Sequence, residues 1–248
     1  MSSRNADLGL RPLTARSVLL SALLGTNPPR LKAAKLVAVA ELFGLSEGAA
    51  RTALSRLSTA GDVTLENGRY RLNTRLLQRQ RRQDQSRGEL RKPWNGRWII
   101  AVVDPFPRPP ADRIALRRAM AELRLGEWRE GVWMRPDNLG RRYAPVLRLQ
   151  CTTWSADPAD GLDGRGVVAR LWDLVGWSSR AVALIEAFPE SLDVAERFML
   201  GAATLHHLLA DPLLPDGLAP DDWPADQLRH HFTGFYHDLQ AELAQFLR

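Results

Sequence analysis

Three patterns along the chain predict a helix-rich α+β protein in three successive parts. A helix, a helix–glycine–helix step and a hairpin follow one another within residues 13–73. A β-α-β-β alternation occupies residues 94–166. Residues 167–248 are patterned almost wholly as helix. Residues 1–12 read as a flexible tail, and 74–93 as a basic linker helix.

Thr14 is placed to cap the first helix through its hydroxyl. Val18, Leu19, Ala22 and Leu23 then make a stripe at helical spacing, and Gly25 ends it. Pro28-Pro29 breaks the chain. A second helix carries Leu36, Val39, Ala40 and Phe43 on one face. Gly44 supplies a sharp turn, Ser46 caps a third helix running to about Thr59, and Gly61 closes it. Two β-prone runs, 63–66 and 69–72, flank Asn67-Gly68. That dipeptide tolerates positive φ at both positions and is a strong signal for a two-residue hairpin. Helix, helix–turn–helix, hairpin is the order of a winged helix-turn-helix. An Arg-rich helix over 74–87 leads away from it.

Trp94-Asn95-Gly96-Arg97 reads as a turn into a buried strand at 98–103. A proline-rich loop at 105–110 precedes a helix near 111–125. Residues 131–135 and 146–152 read as two further strands, and 155–166 as a polar Asp/Gly loop. Helices are expected over about 177–188, 192–209 and 225–246, with a Pro/Asp-rich loop at 211–224. No internal repeat is evident.

The net charge is +6, unevenly spread. Residues 1–97 hold 18 Lys+Arg against 7 Asp+Glu, a charge of +11, whereas the remainder holds 16 against 21, a charge of −5. A basic head on a mildly acidic body is the footprint of a nucleic-acid module joined to something else. The single cysteine, Cys151, cannot make an internal disulfide, which points to a reducing, cytoplasmic compartment. No apolar run approaches the ~20 residues of a membrane span, and no signal-peptide pattern opens the chain.

On the third helix, Ala50, Ala53, Leu54 and Leu57 cluster on one side. The opposite side carries Arg51, Thr52, Ser55, Arg56 and Thr59, beginning at the cap Ser46. Arginine can give two parallel hydrogen bonds to guanine. Serine and threonine hydroxyls donate or accept at base edges, and small residues permit close approach to a major groove. A merely solvated amphipathic helix would show the same face. The glycine turn before it and the hairpin after it favour double-stranded DNA as the partner. Arg69 and Arg71 alternate on the second hairpin strand, and Arg75, Arg79, Arg81, Arg82 and Arg87 follow. Such charges suit phosphate contacts, which fix register without reading sequence; a solvated linker helix is the alternative for those past residue 73.

Ordered segments of this chain resemble the PaaX family of bacterial transcriptional regulators, which repress phenylacetate-degradation genes. They are Leu13-Thr14-Ala15-Arg16-Ser17-Val18-Leu19, Phe43-Gly44-Leu45-Ser46 followed by Arg51-Thr52-Ala53-Leu54-Ser55-Arg56-Leu57, and Trp94-Asn95-Gly96-Arg97-Trp98. Gly131-Val132-Trp133-Met134-Arg135-Pro136-Asp137-Asn138-Leu139 comes next, then Asp211-Pro212-Leu213-Leu214-Pro215 and Asp222-Trp223-Pro224. The resemblance covers almost the whole chain. It implies a ferredoxin-like (Cas2-like) central α+β domain and a C-terminal helical domain. It also implies a homodimer, and release by an aryl-CoA thioester such as phenylacetyl-CoA. A two-fold dimer in turn calls for an inverted-repeat operator, with half-sites spaced by whole helical turns. Two departures stand out: residues 26–35 are shorter and richer in proline than is usual, and the wing is compact.

An acyl-CoA effector needs an apolar slot and cationic donors. Trp128 and Trp133 beside Arg135, Arg141 and Arg142 offer both, although these arginines have many carboxylates to pair with. All eight tryptophans lie after residue 93, and Trp133, Trp154, Trp172 and Trp223 could either wall an aromatic pocket or pack a core.

No catalytic residues, metal site or cofactor are expected. Adjacent histidines on a helix point about 100° apart, so neither His206-His207 nor His230-His231 forms a two-ligand clamp. Asp104 stands where the resemblance would put a metal-binding carboxylate, but Pro105 follows it and no partner acid is evident. Cys151 lies on an apolar strand, as a small buried hydrophobe would. The competing reading is a metal-dependent nuclease or hydrolase using Asp104 or the C-terminal histidines.

Overall fold

A computed structural model describes residues 10, 13–24, 26, 28–73, 76, 91–140, 145–188 and 193–246. The expected stop at Gly25, the linker helix with Arg75, Arg79, Arg81, Arg82 and Arg87, and the pair Arg141 and Arg142 lie outside the described residues. The chain divides into two compact units. One comprises 1–88, 182–206 and 227–248; the other comprises 89–181 and 207–226. The segment 167–248, read from the sequence as one helical part, therefore contributes to both.

In the first unit, helix α1 (Ala15–Leu24) begins where the Ser17 amide donates to Thr14 Oγ1 at 3.1 Å. Strand β1 (Arg30–Lys32) leads into helix α2 (Ala33–Leu42), and helix α3 (Glu47–Thr59) follows. Gly44, at φ +71°, makes the turn between α2 and α3, a conformation that favours glycine. Strands β2 (Val63–Glu66) and β3 (Arg69–Leu72) form the hairpin, with Asn67 and Gly68 both at positive φ. The antiparallel sheet has the order β1-β3-β2.

One apolar core joins these elements, with Leu19, Leu23, Leu36, Leu57 and Leu72 fully buried. At the rim of this core, Arg16 reaches the buried Asp62 carboxylate at 2.7 Å and ties α1 to the turn before β2. After helix α7 (Leu174–Ala187), helices α8 (Val194–Leu208) and α9 (Ala225–Phe246) supply its other members. Val194, Ala195, Phe198 and Phe235 pack against the same core, and the Phe198 ring meets Phe43 edge-on at 5.2 Å.

Strand β1 departs from expectation. Pro28-Pro29 suggested only a break, and three residues are too few to show a period. Leu31 is buried, and its pairing with Tyr70 sets the register of β1 on β3.

The second unit runs β4 (Trp98–Val103), α4 (Pro110–Glu122), β5 (Gly126–Arg129), β6 (Val132–Pro136), α5 (Pro145–Gln150) and β7 (Cys151–Ala156). All pairs are antiparallel, in the order β5-β6-β4-β7. Both faces of this sheet are covered. Leu116 and Met120 of α4 and Leu147 of α5 pack with Ile99 and Ala101 on one face. Helix α6 (Gly164–Leu171) and Leu214 and Leu218 pack with Trp98 and Met134 on the other. Coverage on both sides explains why β4 reads as an unbroken apolar run rather than an alternation. Gly126 is required at the β5–α6 contact, because a Cβ there would stand 2.8 Å from Leu171 Cβ.

Three expectations need correction. Residues 146–152 are not one strand: helix α5 ends at Gln150 and β7 begins at Cys151. Within this segment Leu147 is fully buried while Leu149 is 81% exposed, and so short an apolar run fits either period. Strand β5 escaped notice because Gly-Glu-Trp-Arg carries no alternation. Helix α6 falls at the end of the expected polar loop, where Asp163 caps it by accepting from the Gly166 amide at 2.9 Å. Among the described residues no helix is long and apolar enough to cross a membrane.

Candidate nucleic-acid interface

Helix α3 presents the face expected of it. Ala50, Leu54 and Leu57 are at most 2% exposed, whereas Ser46, Arg51, Thr52, Ser55, Arg56 and Thr59 are all exposed. The Ser46 hydroxyl is occupied as the N-cap, accepting from the Ala49 amide at 3.2 Å. The Thr59 hydroxyl donates to the Ser55 carbonyl at 3.1 Å. Glu47 and Arg51 form an i,i+4 ion pair, with Nε donating to Oε1 at 2.7 Å. Both partners are exposed, so the pair is worth well under ~1 kcal/mol and readily exchanges for another anion. Arg56 is exposed and makes no ion pair with any described residue.

The hairpin adds Arg69 and Arg71, both exposed. Sheet register places them on one face with two residues the sequence reading passed over, Arg30 and Lys32 of β1. The alternation Arg30-Leu31-Lys32 was the available signal, hidden by the adjacent prolines. These residues and Glu66, which lies 3.5 Å from Arg71, form the charged side of the hairpin sheet.

Two family models match the chain. One, described as PaaX-like protein, matches residues 14–76; the other, PaaX-like protein C-terminal domain, matches residues 177–248. The chain belongs to the PaaX-like family. Its structure is also similar to a solved structure, the uncharacterized protein Rv0674 from Mycobacterium tuberculosis. The two share 38% identity over 94% of this chain and 97% of that one, with a TM-score of 0.77. No curated protein matches.

In this PaaX-like chain, several motif segments serve the architecture of the second unit. The Trp94 indole donates to the Arg97 carbonyl at 2.7 Å and meets Trp98 edge-on. Trp223 stacks on Trp177, which in turn stacks on the buried His207, each at 4.4 Å. Arg135 is 4% exposed and donates to the carbonyls of Pro136 and Leu123 and to Asn138 Oδ1, at 2.8, 3.0 and 2.6 Å. The Asn138 amide donates onward to the Leu213 carbonyl at 2.9 Å, and the buried Asp211 accepts from the Leu213 amide at 2.9 Å. The segments around 131–139 and 211–215, distant in sequence, are thus one buried polar network.

That geometry bears on the effector residues. Trp133 packs on the α4 side of the sheet, with Arg117 6.0 Å from its ring, whereas Trp128 packs on the α6 side under Arg170 at 3.7 Å. The two rings lie on opposite faces and do not wall one slot. The Arg135 guanidinium is engaged by backbone and Asn138. Trp172 and Trp223 join the α6-side core, and Trp154 is 49% exposed.

The groups considered for catalysis are engaged or dispersed. Asp104 Oδ1 accepts from the Thr152 hydroxyl at 3.0 Å. Burial, with the nearby Asp104 charge, pushes the Cys151 thiol up to about 11, so it stays protonated at neutral pH. His207 Nε2 lies 2.9 Å from the Trp177 carbonyl, and His231 stacks near Phe188. Among the described residues no group of three His, Cys, Asp or Glu is arranged to hold a metal ion.

Proposed function

We propose that this PaaX-like chain is a sequence-specific, cytoplasmic DNA-binding transcriptional repressor. It acts as a homodimer on an inverted-repeat operator and is released by an aryl-CoA thioester such as phenylacetyl-CoA. The observation that carries the DNA reading is the exposed α3 face of Thr52, Ser55, Arg56 and Thr59 beside the cationic hairpin sheet. Residues 13–73 act as a winged helix-turn-helix, with α3 as the helix in the major groove. The βαββαβ alternation and the sheet order β5-β6-β4-β7 support a ferredoxin-like reading of the central part.

Arg56→Ala is expected to cost about 1–3 kcal/mol on the operator and to relax specificity at one base pair. Arg51→Ala behaves likewise, with a smaller loss, because Glu47 must first be displaced. Arg69→Ala or Arg71→Ala weakens all duplexes alike and flattens the salt dependence. Titration of each variant against operator and random duplex checks this. Equal losses on both duplexes for all four variants would refute base reading by α3.

One three-helix head contacts few bases, so two copies are expected on half-sites separated by whole helical turns, ~10–10.5 bp each. An isolated 1–97 fragment is a poor test, because the head shares its core with Phe198 and Phe235. The full chain is therefore compared on duplexes carrying one or two half-sites. The two-site duplex should bind on the order of 10²-fold tighter or more, with two chains per duplex by sedimentation. Equal affinity with one chain bound would show a monomeric reader.

A further inference from the structure

Like charges placed directly opposite one another across a sheet are destabilising. The hairpin sheet does this twice. Arg30 pairs with Arg71, and Lys32 pairs with Arg69. Side chains alternate between faces along a strand, so all four cations share one face, and all four are exposed. Opposite partners stand ~5 Å apart, and the two rows ~7 Å apart along the strands. The register cannot slip to relieve the repulsion. A shift of one residue would turn Leu31 outward and bury Arg30 and Lys32. Among the described residues the only carboxylate on this face is Glu66, opposite Arg69, diagonal to Arg71 at 3.5 Å and hydrogen-bonded by Thr64 at 3.4 Å. Beside this face lies a groove of about 430 Å³, whose lining includes Arg30, Arg69 and Arg71 together with Glu66 and Asn67.

The geometry points to a second DNA-backbone seat on this face, in which Arg30 and Lys32 of β1 join Arg69 and Arg71 to hold neighbouring phosphates of one duplex strand. This rests on the DNA-binding reading and extends it to a strand outside both the recognition helix and the hairpin. Glu66 is the resident anion of the seat. It holds Arg71 in the unbound protein and opposes the incoming phosphate, which lowers affinity for all DNA equally. The backbone is the partner because phosphodiesters supply two closely spaced anions to match two rows of cations.

The test uses the full chain, with operator and random duplexes titrated between ~50 and ~200 mM salt. The double variant Arg30→Ala/Lys32→Ala is expected to reduce the slope of log affinity against log salt by about 2, and to weaken both duplexes on the order of 10-fold at the upper salt. Glu66→Gln, a conservative change, should tighten both duplexes several-fold, and it decides the matter if the double variant does not fold. A parental slope in the folded double variant, a loss confined to the operator, or unchanged affinity in Glu66→Gln would overturn the seat. Inorganic phosphate at matched ionic strength should leave the parent's DNA affinity intact; displacement at low millimolar concentration would assign the groove to a small phosphorylated ligand instead. If the parent chain binds neither duplex, the DNA reading itself falls, and the seat with it.

Discussion

Arg135→Met is expected to destabilise the second unit by about 3 kcal/mol or more, since several buried acceptors lose their donor at once. The reason is what the guanidinium leaves behind. It donates to the carbonyls of Pro136 and Leu123 and to Asn138 Oδ1 at a site only 4% exposed. Methionine fills part of the volume and donates nothing. A buried acceptor stripped of its donor costs about 1–3 kcal/mol. Asn138, itself 1% exposed, also positions the Leu213 carbonyl, so the loss spreads into the 211–215 loop. Urea unfolding followed by tryptophan emission reads the effect, because Trp98 and Trp223 belong to the adjoining core. A midpoint unchanged within about 0.5 kcal/mol, the range of an ordinary surface substitution, would mean that Arg135 is not structural and would return it to the list of ligand contacts.

Phenylacetyl-CoA is expected to move the operator complex from almost fully bound to almost fully free. Shifting a population from 99:1 to 1:99 takes about 5.5 kcal/mol of differential affinity. A CoA thioester has an aryl ring, an amide-bearing arm and phosphates with which to supply it; free phenylacetate has a ring and one carboxylate. Titrating both against a preformed complex separates them, and an intact complex at millimolar phenylacetyl-CoA would sink the effector claim while leaving DNA binding untouched. Trp128 and Trp133 face opposite sides of the sheet, so Trp128→Ala and Trp133→Ala also locate the ring. Only the variant on the occupied face should need more ligand for release. Trp128 beneath Arg170 is the closer pairing of ring and cation, so its loss is expected to matter more.

Much of the first unit was legible because its signals are local. Ser46, Gly44 and Asn67-Gly68 each act through the backbone of their own turn, and the α3 stripe repeats over 13 residues. The exposed α3 face follows from that stripe, which puts Arg51, Thr52, Ser55, Arg56 and Thr59 on the surface. The second unit was less legible. Strand β5 has four residues and α5 has six, too few for either period to declare itself. The i,i+4 spacing of Glu47 and Arg51 permits their ion pair, but the pair itself depends on rotamers that spacing does not fix.

By itself the sequence determined the family, the order of the head elements and the uneven charge, because motif spacing, turn chemistry and side-chain type are written residue by residue. Tertiary structure alone decided which distant segments meet. β1 joins β3 because Leu31 finds a buried place beside Tyr70, and that pairing turns two unremarked cations toward Arg69 and Arg71. Trp128 and Trp133, five residues apart, are parted because the sheet runs between them. Arg135 becomes a structural residue because burial obliges every polar group to find a partner, and its partners come from a fold that the local pattern does not specify.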